Sequence, residues 1–135
     1  MNESMLGLVT LSFCTLITQS TAVASDRISA EDLHTLLASG SEVLVINTLD
    51  KEYFDDCHIA GSVNIPLDSL EKAAADWNRS RRIVVYCASA DCSVSGIAHA
   101  RLSKMDFTNV QAYEGGTKEW KKKGFEVEGT STSNN

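Results

Sequence analysis

Residues 83–87 read Ile83-Val84-Val85-Tyr86-Cys87 and run directly into Ala88-Ser89-Ala90-Asp91-Cys92-Ser93. An apolar run without alternation is the pattern of a strand covered on both faces. The small polar residues behind it predict a loop at the carboxyl end of that strand. A second such run, Val43-Leu44-Val45-Ile46, lies upstream, and Asn109-Val110-Gln111-Ala112 reads as a further strand downstream. Helical patterns separate them. Ser29 and Asp32 open a helix whose Leu33, Leu36 and Leu37 share one face, with Gly40 as its stop. Residues 51–57 form a short polar helix and residues 62–66 a brief strand that Pro66 ends. Residues 67–77 form a helix with Leu67, Leu70, Ala74 and Trp77 inward. Residues 93–105 form another, with Val94, Ile97, Ala98, Leu102 and Met105 inward and Ser93 as cap. Gly115-Gly116 marks a tight turn, and residues 117–123 a last helix that Gly124 closes, anchored by Trp120. Strands alternating with helices predict an α/β sandwich of three layers around a parallel sheet, with the 83–86 strand inside it.

A chain of 135 residues has room for one such domain. Twelve Lys+Arg against eighteen Asp+Glu leave a net charge of -6, which disfavours nucleic acid as a partner but leaves room for a small anion in a locally positive pocket. Residues 5–17 carry no charge and precede Ala22-Val23-Ala24, so residues 1–24 read as an export signal or N-terminal extension. Cleavage before Ser25 would make the protein periplasmic or secreted; otherwise it is cytoplasmic. The run is too short for stable membrane insertion. Residues 25–129 are the domain and 130–135 a polar tail.

The chemistry falls at the strand end. In open parallel sheets ligands bind beyond the carboxyl ends of strands, where helix N-H groups point outward. Cys87 occupies that place, and Ala88, Ser89, Ala90, Asp91 and Ser93 make the loop around it. A thiol there is expected to be held as thiolate by the helix and by backbone donors; the plainer alternative is a buried small side chain ending a strand. Cys92 completes a Cys-x4-Cys pair and is the candidate resolving thiol. Ser89, Ser93 and Ser95 can supply hydroxyls. Lys118, Lys121, Lys122 and Lys123 form a basic patch, read either as solvated surface or as a steering face. His34 and His99 are expected to be exposed, and His58 to be a hydrogen-bonded hinge. A phosphatase loop would need Arg at position 93, where this chain has Ser93. Cys57, His58, Cys87 and Cys92 lack the paired spacing of zinc sites, so no metal is expected.

Three blocks together carry a family resemblance: His58-Ile59-Ala60-Gly61-Ser62-Val63-Asn64-Ile65-Pro66; Ile83-Val84-Val85-Tyr86-Cys87; and Gly115-Gly116-Thr117-Lys118-Glu119-Trp120, with Gly124 and Phe125 beyond. The chain resembles a single-domain rhodanese, a rhodanese-like sulfurtransferase, over residues 27–128. The resemblance implies a five-stranded parallel sheet and no cofactor. It also implies a ping-pong reaction, in which Cys87 takes sulfane sulfur from a small donor such as thiosulfate, becomes a persulfide, and passes the sulfur to cyanide, a small thiol or a protein thiol. The loop departs from the family pattern. A basic residue is usual where Cys92 stands, an Asp-x-Arg where Asn47-Thr48-Leu49 stand, and a Gly where Cys57 stands. Without those arginines thiosulfate activity is expected to be weak. Two alternatives share the fold: a non-catalytic sulfur carrier or interaction module, and a thiol redox protein using a Cys87-Cys92 disulfide.

Overall fold

A computed structural model describes residues 25–132. The expected export signal at 1–24 and the end of the tail at 133–135 lie outside the described residues. Four parallel strands form the main sheet: β1 (Leu44–Asn47), β3 (Val63–Asn64), β4 (Ile83–Tyr86) and β5 (Val110–Tyr113), in the order β3-β1-β4-β5. The 83–86 strand is interior, as its pattern predicts. Its side chains divide by the period of two. Ile83 and Val85 join the core beneath α3 (Leu70–Ala74) and α4 (Val94–Lys104) with Leu70, Ala74, Ala98 and Leu102. Val84 and Tyr86 join a second core beneath α1 (Ala30–Ala38) and α5 (Gly116–Lys122) with Ala30, Leu33 and Trp120. All four β4 residues are fully buried, so neither face of this strand is left to water.

The expected fifth parallel strand is a correction. At the β5 edge the chain makes a single parallel bridge, Arg27 to Ala112, through Ile28 N to Ala112 O (3.1 Å) and Ala112 N to Asp26 O (2.8 Å). Pairing goes no further because Ser29 turns the chain into α1, its hydroxyl accepting the Asp32 N-H at 3.1 Å. The remaining strands, β2 (His58–Ile59) and β6 (Val127–Glu128), pair antiparallel in a separate two-stranded sheet. Two residues each leave no periodicity for a sequence to show.

Other elements shift for local reasons. Residues 67–77 split into a 3-10 turn (Leu67–Ser69) and α3, which ends at Ala74. The Arg79 guanidinium takes the carbonyls of Ala74, Ala75 and Trp77 at 3.0–3.2 Å, satisfying groups that a longer helix would have used. Ile97 is 41% exposed, and Ser95 takes the inward place, making the α4 stripe Ser95, Ala98 and Leu102. His99 is half-buried, with Nε2 3.2 Å from Val110 O. His34 is exposed at its helix and stacks on Phe125, with ring centroids 4.1 Å apart. His58 is a hinge, its Nδ1 2.7 Å from Phe54 O and its Nε2 3.3 Å from Glu128 Oε2. Trp120 is core, 2% exposed. Thr130–Thr132, read as tail, form a 3-10 turn that Ser131 ties to Asp56 O at 2.8 Å, across α2 (Lys51–Asp56).

Candidate active site

Cys87 follows β4 directly, with its side chain turned to the α4 face, as the alternation from Ile83 and Val85 requires. The residue is completely buried. Its Sγ lies 3.4 Å from Cys92 O, 3.9 Å from Ser89 O and 3.7 Å from Ser95 Oγ. The loop therefore curls around the sulfur, with Cys92 N bonded back to Ser89 O at 3.0 Å. This curl also sets Cys92 beside Cys87, its carbonyl oxygen being the atom that meets Sγ. Cys57, Cys87 and Cys92 are all free.

The electrostatics differ from the thiolate cradle expected of the loop. Burial pushes the Cys87 thiol up from its ordinary value, and the Cys92 thiol beside it pushes the same way, while the N-H and hydroxyl of Ser95 pull back. Two of the groups facing the sulfur are carbonyl oxygens, which accept from S-H and repel an anion. The resting residue is thus a neutral thiol donating to the loop. Ser95 is the hydroxyl that reaches the sulfur. Ser93 is exposed, helical in backbone, and its side chain does not cap α4. Ala88, Ala90 and Asp91 are exposed and Ser89 half-buried.

The loop is held from the other side by α5. Thr117 N bonds Cys87 O at 3.1 Å and Lys118 N bonds Ala88 O at 3.0 Å, so the first turn of the helix grips the two peptides that follow the strand. Gly116 makes that approach possible. Its φ is +66°, and a Cβ there would lie 2.5 Å from Cys87 O and 2.5 Å from Ala88 C. The sequence marks the glycine pair as a turn, whereas its role as the seat of the loop depends on a tertiary contact about thirty residues distant.

Asn47, at the position of the family's acid, ends β1 fully buried opposite Tyr86. Its Oδ1 accepts Leu49 N at 3.0 Å, while Nδ2 has no hydrogen-bond partner among the described residues. Tyr86 Oη accepts Ile59 N at 3.0 Å and lies 2.7 Å from Ser62 Oγ, which ties the strand end beneath the loop to the His58–Ser62 turn. Leu49, at the arginine position, lines a cavity of about 230 Å³ with Cys57, Ala88, Thr117, Lys118 and Lys121. A larger cavity of about 480 Å³ is lined by Ser89, Ala90 and Asp91 on the loop and by Lys118, Lys122 and Lys123 on the α5 side. Neither is lined by Cys87 or Cys92. The structure therefore joins Cys87 with Cys92, and sets Cys57 and the lysines on the α5 flank. Among the described residues no three His, Cys, Asp or Glu side chains gather as a metal site, and no helix is long and apolar enough to cross a membrane.

Comparison with known proteins agrees with this arrangement. The family model for the rhodanese-like domain matches residues 29–123. The BH2092 protein of Bacillus halodurans is similar in structure, with a TM-score of 0.73 and 28% identity over 79% of each chain. The rhodanese-like domain of the Alr3790 protein of Anabaena is similar at a TM-score of 0.73 and 26% identity, covering 82% of this chain and 83% of that one. A curated relative, the HTH-type transcriptional regulator Rv0324 of Mycobacterium tuberculosis, is 30% identical over 87 residues, 64% of this chain. The chain spans only 38% of that relative's length.

Proposed function

The chain belongs to the rhodanese-like domain family, and from that premise we propose that it moves sulfane sulfur from a donor to a thiophilic acceptor through a persulfide on Cys87. The observation that carries this reading is the placement of Cys87: a free thiol at the carboxyl end of an interior parallel strand, wrapped by a loop that α5 clamps. In the forward step the Cys87 thiolate attacks the outer sulfur of the donor. A bond forms between Sγ and that sulfur, the donor's S-S bond breaks, and the former partner sulfur leaves with the electron pair and takes up a proton. The acceptor thiolate reverses the step, and no external oxidant is needed.

The loop contributes no cation of its own, and exposed Asp91 adds a negative charge to it. Thiosulfate, a dianion, is accordingly a poor donor, and a persulfide or polysulfide a better one. Because burial raises the Cys87 thiol above its ordinary value, sulfur uptake should rise steeply from pH 7 to 9 as the thiolate fraction grows. Intact-mass kinetics with inorganic polysulfide, following an addition of about 32 Da for one sulfur atom, test this. Uptake that is flat across that range would contradict a buried neutral thiol as the nucleophile.

A second reading, thiol redox chemistry, is favoured by the closeness of Cys92. Its thiolate can attack Sγ of the Cys87 persulfide, forming a Cys87-Cys92 disulfide and releasing hydrosulfide. Cys92→Ser should then lengthen the life of the Cys87 persulfide several-fold and increase over-oxidation of Cys87 by peroxide. An unchanged lifetime, or a Cys57-Cys87 link under non-reducing peptide mapping, would remove Cys92 from the resolving role and leave the sulfurtransferase reading intact.

A further inference from the structure

The α5 flank carries exposed Lys118, Lys121 and Lys122 in a protein of net charge -6. Lys118 lines both cavities beside the loop, Lys121 the smaller and Lys122 the larger. Exposed Tyr53, 62% accessible, stands at the rim of the smaller one. Lys123, the other lysine of this patch, is paired with Glu31 at 2.5 Å. The three lysines thus form a ridge on α5 beside the loop, in cavities that Asp91 and Glu119 (the larger) and Asp56 (the smaller) also line and that Cys87 does not.

That offset bears on what the ridge can serve. A small anionic donor has its charge within a few ångströms of its reacting sulfur, so cations that bind it must line the same space as the nucleophile. Here Sγ points to Ser95 on α4, and neither lysine-lined cavity reaches it. Cations set apart from the sulfur by the loop backbone can help only a partner large enough to touch both. An exposed tyrosine is a residue type enriched at protein-binding surfaces.

Resting on the sulfur-transfer reading above, we propose that the sulfur partner of Cys87 is an acidic polypeptide that docks its carboxylates on Lys118, Lys121 and Lys122 while its own cysteine reaches round the loop. The ridge supplies, within a globally negative protein, the local field that draws such a partner in and sets its register. The chemistry at Cys87 is the same exchange, with the peptide cysteine persulfide as donor and its thiol as the leaving group.

The test uses three synthetic peptides, each with one cysteine persulfide, flanked by glutamates, by glutamines or by lysines. The transfer rate to Cys87 of the full-length protein is followed by intact mass at low and physiological salt. The glutamate peptide should react about tenfold faster than the glutamine peptide at low salt, with the lysine peptide slowest and the spread narrowing as salt rises. In K118Q/K121Q/K122Q the ratio of glutamate to glutamine rates should fall to about one. Transfer with no preference in the wild type, or a preference that survives the triple substitution, overturns the docking proposal and leaves the sulfurtransferase reading standing. Absence of transfer from all three peptides while inorganic polysulfide still loads Cys87 overturns the docking proposal alone, and absence of loading by polysulfide as well overturns both.

Discussion

Gly116→Ala should lower stability by about 2–4 kcal/mol and loosen the loop that encloses Cys87. Two costs add. The residue is held at φ +66°, where a side chain is strained, and the new Cβ would fall 2.5 Å from Cys87 O and from Ala88 C. Both neighbours are backbone atoms, so neither can swing aside as a side-chain tip would. Relief requires the first turn of α5 to draw back, which breaks the bonds from Thr117 N to Cys87 O and from Lys118 N to Ala88 O. The variant should melt at a lower temperature, and its Cys87 should react faster with a thiol reagent than the parent's does. Gly96→Ala is the matched control, because nothing lies within 4 Å of its Cβ position in α4. That change should stabilise by about 0.5–1 kcal/mol. A G116A protein with the parent's melting temperature and the parent's thiol protection would mean that the loop is not seated on α5.

Cys87→Ser should reduce sulfur uptake to background while leaving the fold intact. Serine is close to cysteine in shape, and its hydroxyl can donate to Cys92 O or Ser89 O, the carbonyls that the thiol faces. No buried polar group is orphaned, so folding should cost little. The chemistry, however, disappears, because a serine hydroxyl ionises far less readily than a thiol and is a much weaker nucleophile toward sulfur. Circular dichroism and thermal melting confirm that the variant is folded, and intact mass after polysulfide reports uptake. Uptake equal to the parent's would move the reacting sulfur to Cys57 or Cys92.

The strand 83–86 and the covering of both its faces were legible in four residues, because an unbroken apolar run has few other uses. The helix at 30–38 was equally plain from its cap, stripe and terminal glycine. What escaped was set by contacts between distant residues. The two-stranded sheet joins His58–Ile59 to Val127–Glu128, too short to leave a pattern. Helix α3 stops where Arg79 takes its carbonyls, an event that propensity does not encode. At the site, the position of Cys87 and the nearness of Cys92 follow from the strand end and a short loop. The ionisation of Cys87 did not follow, since it depends first on how completely the folded chain buries the sulfur, and then on the Cys92 thiol and Ser95 beside it. Nor did the split of the lysines from the thiol, which comes from their lying on opposite sides of one loop backbone.

On the proposed function Cys87, rather than Cys57 or Cys92, receives the sulfur. Trypsin releases Cys57 in one peptide and Cys87 with Cys92 in another, residues 83–101, since no Lys or Arg lies between Arg82 and Arg101. Fragment-ion sequencing of both peptides after brief treatment of the native wild-type protein with polysulfide therefore assigns the added sulfur, about 32 Da, to one residue. The expected site is Cys87. Sulfur found on Cys57 or Cys92 with Cys87 unmodified would contradict it.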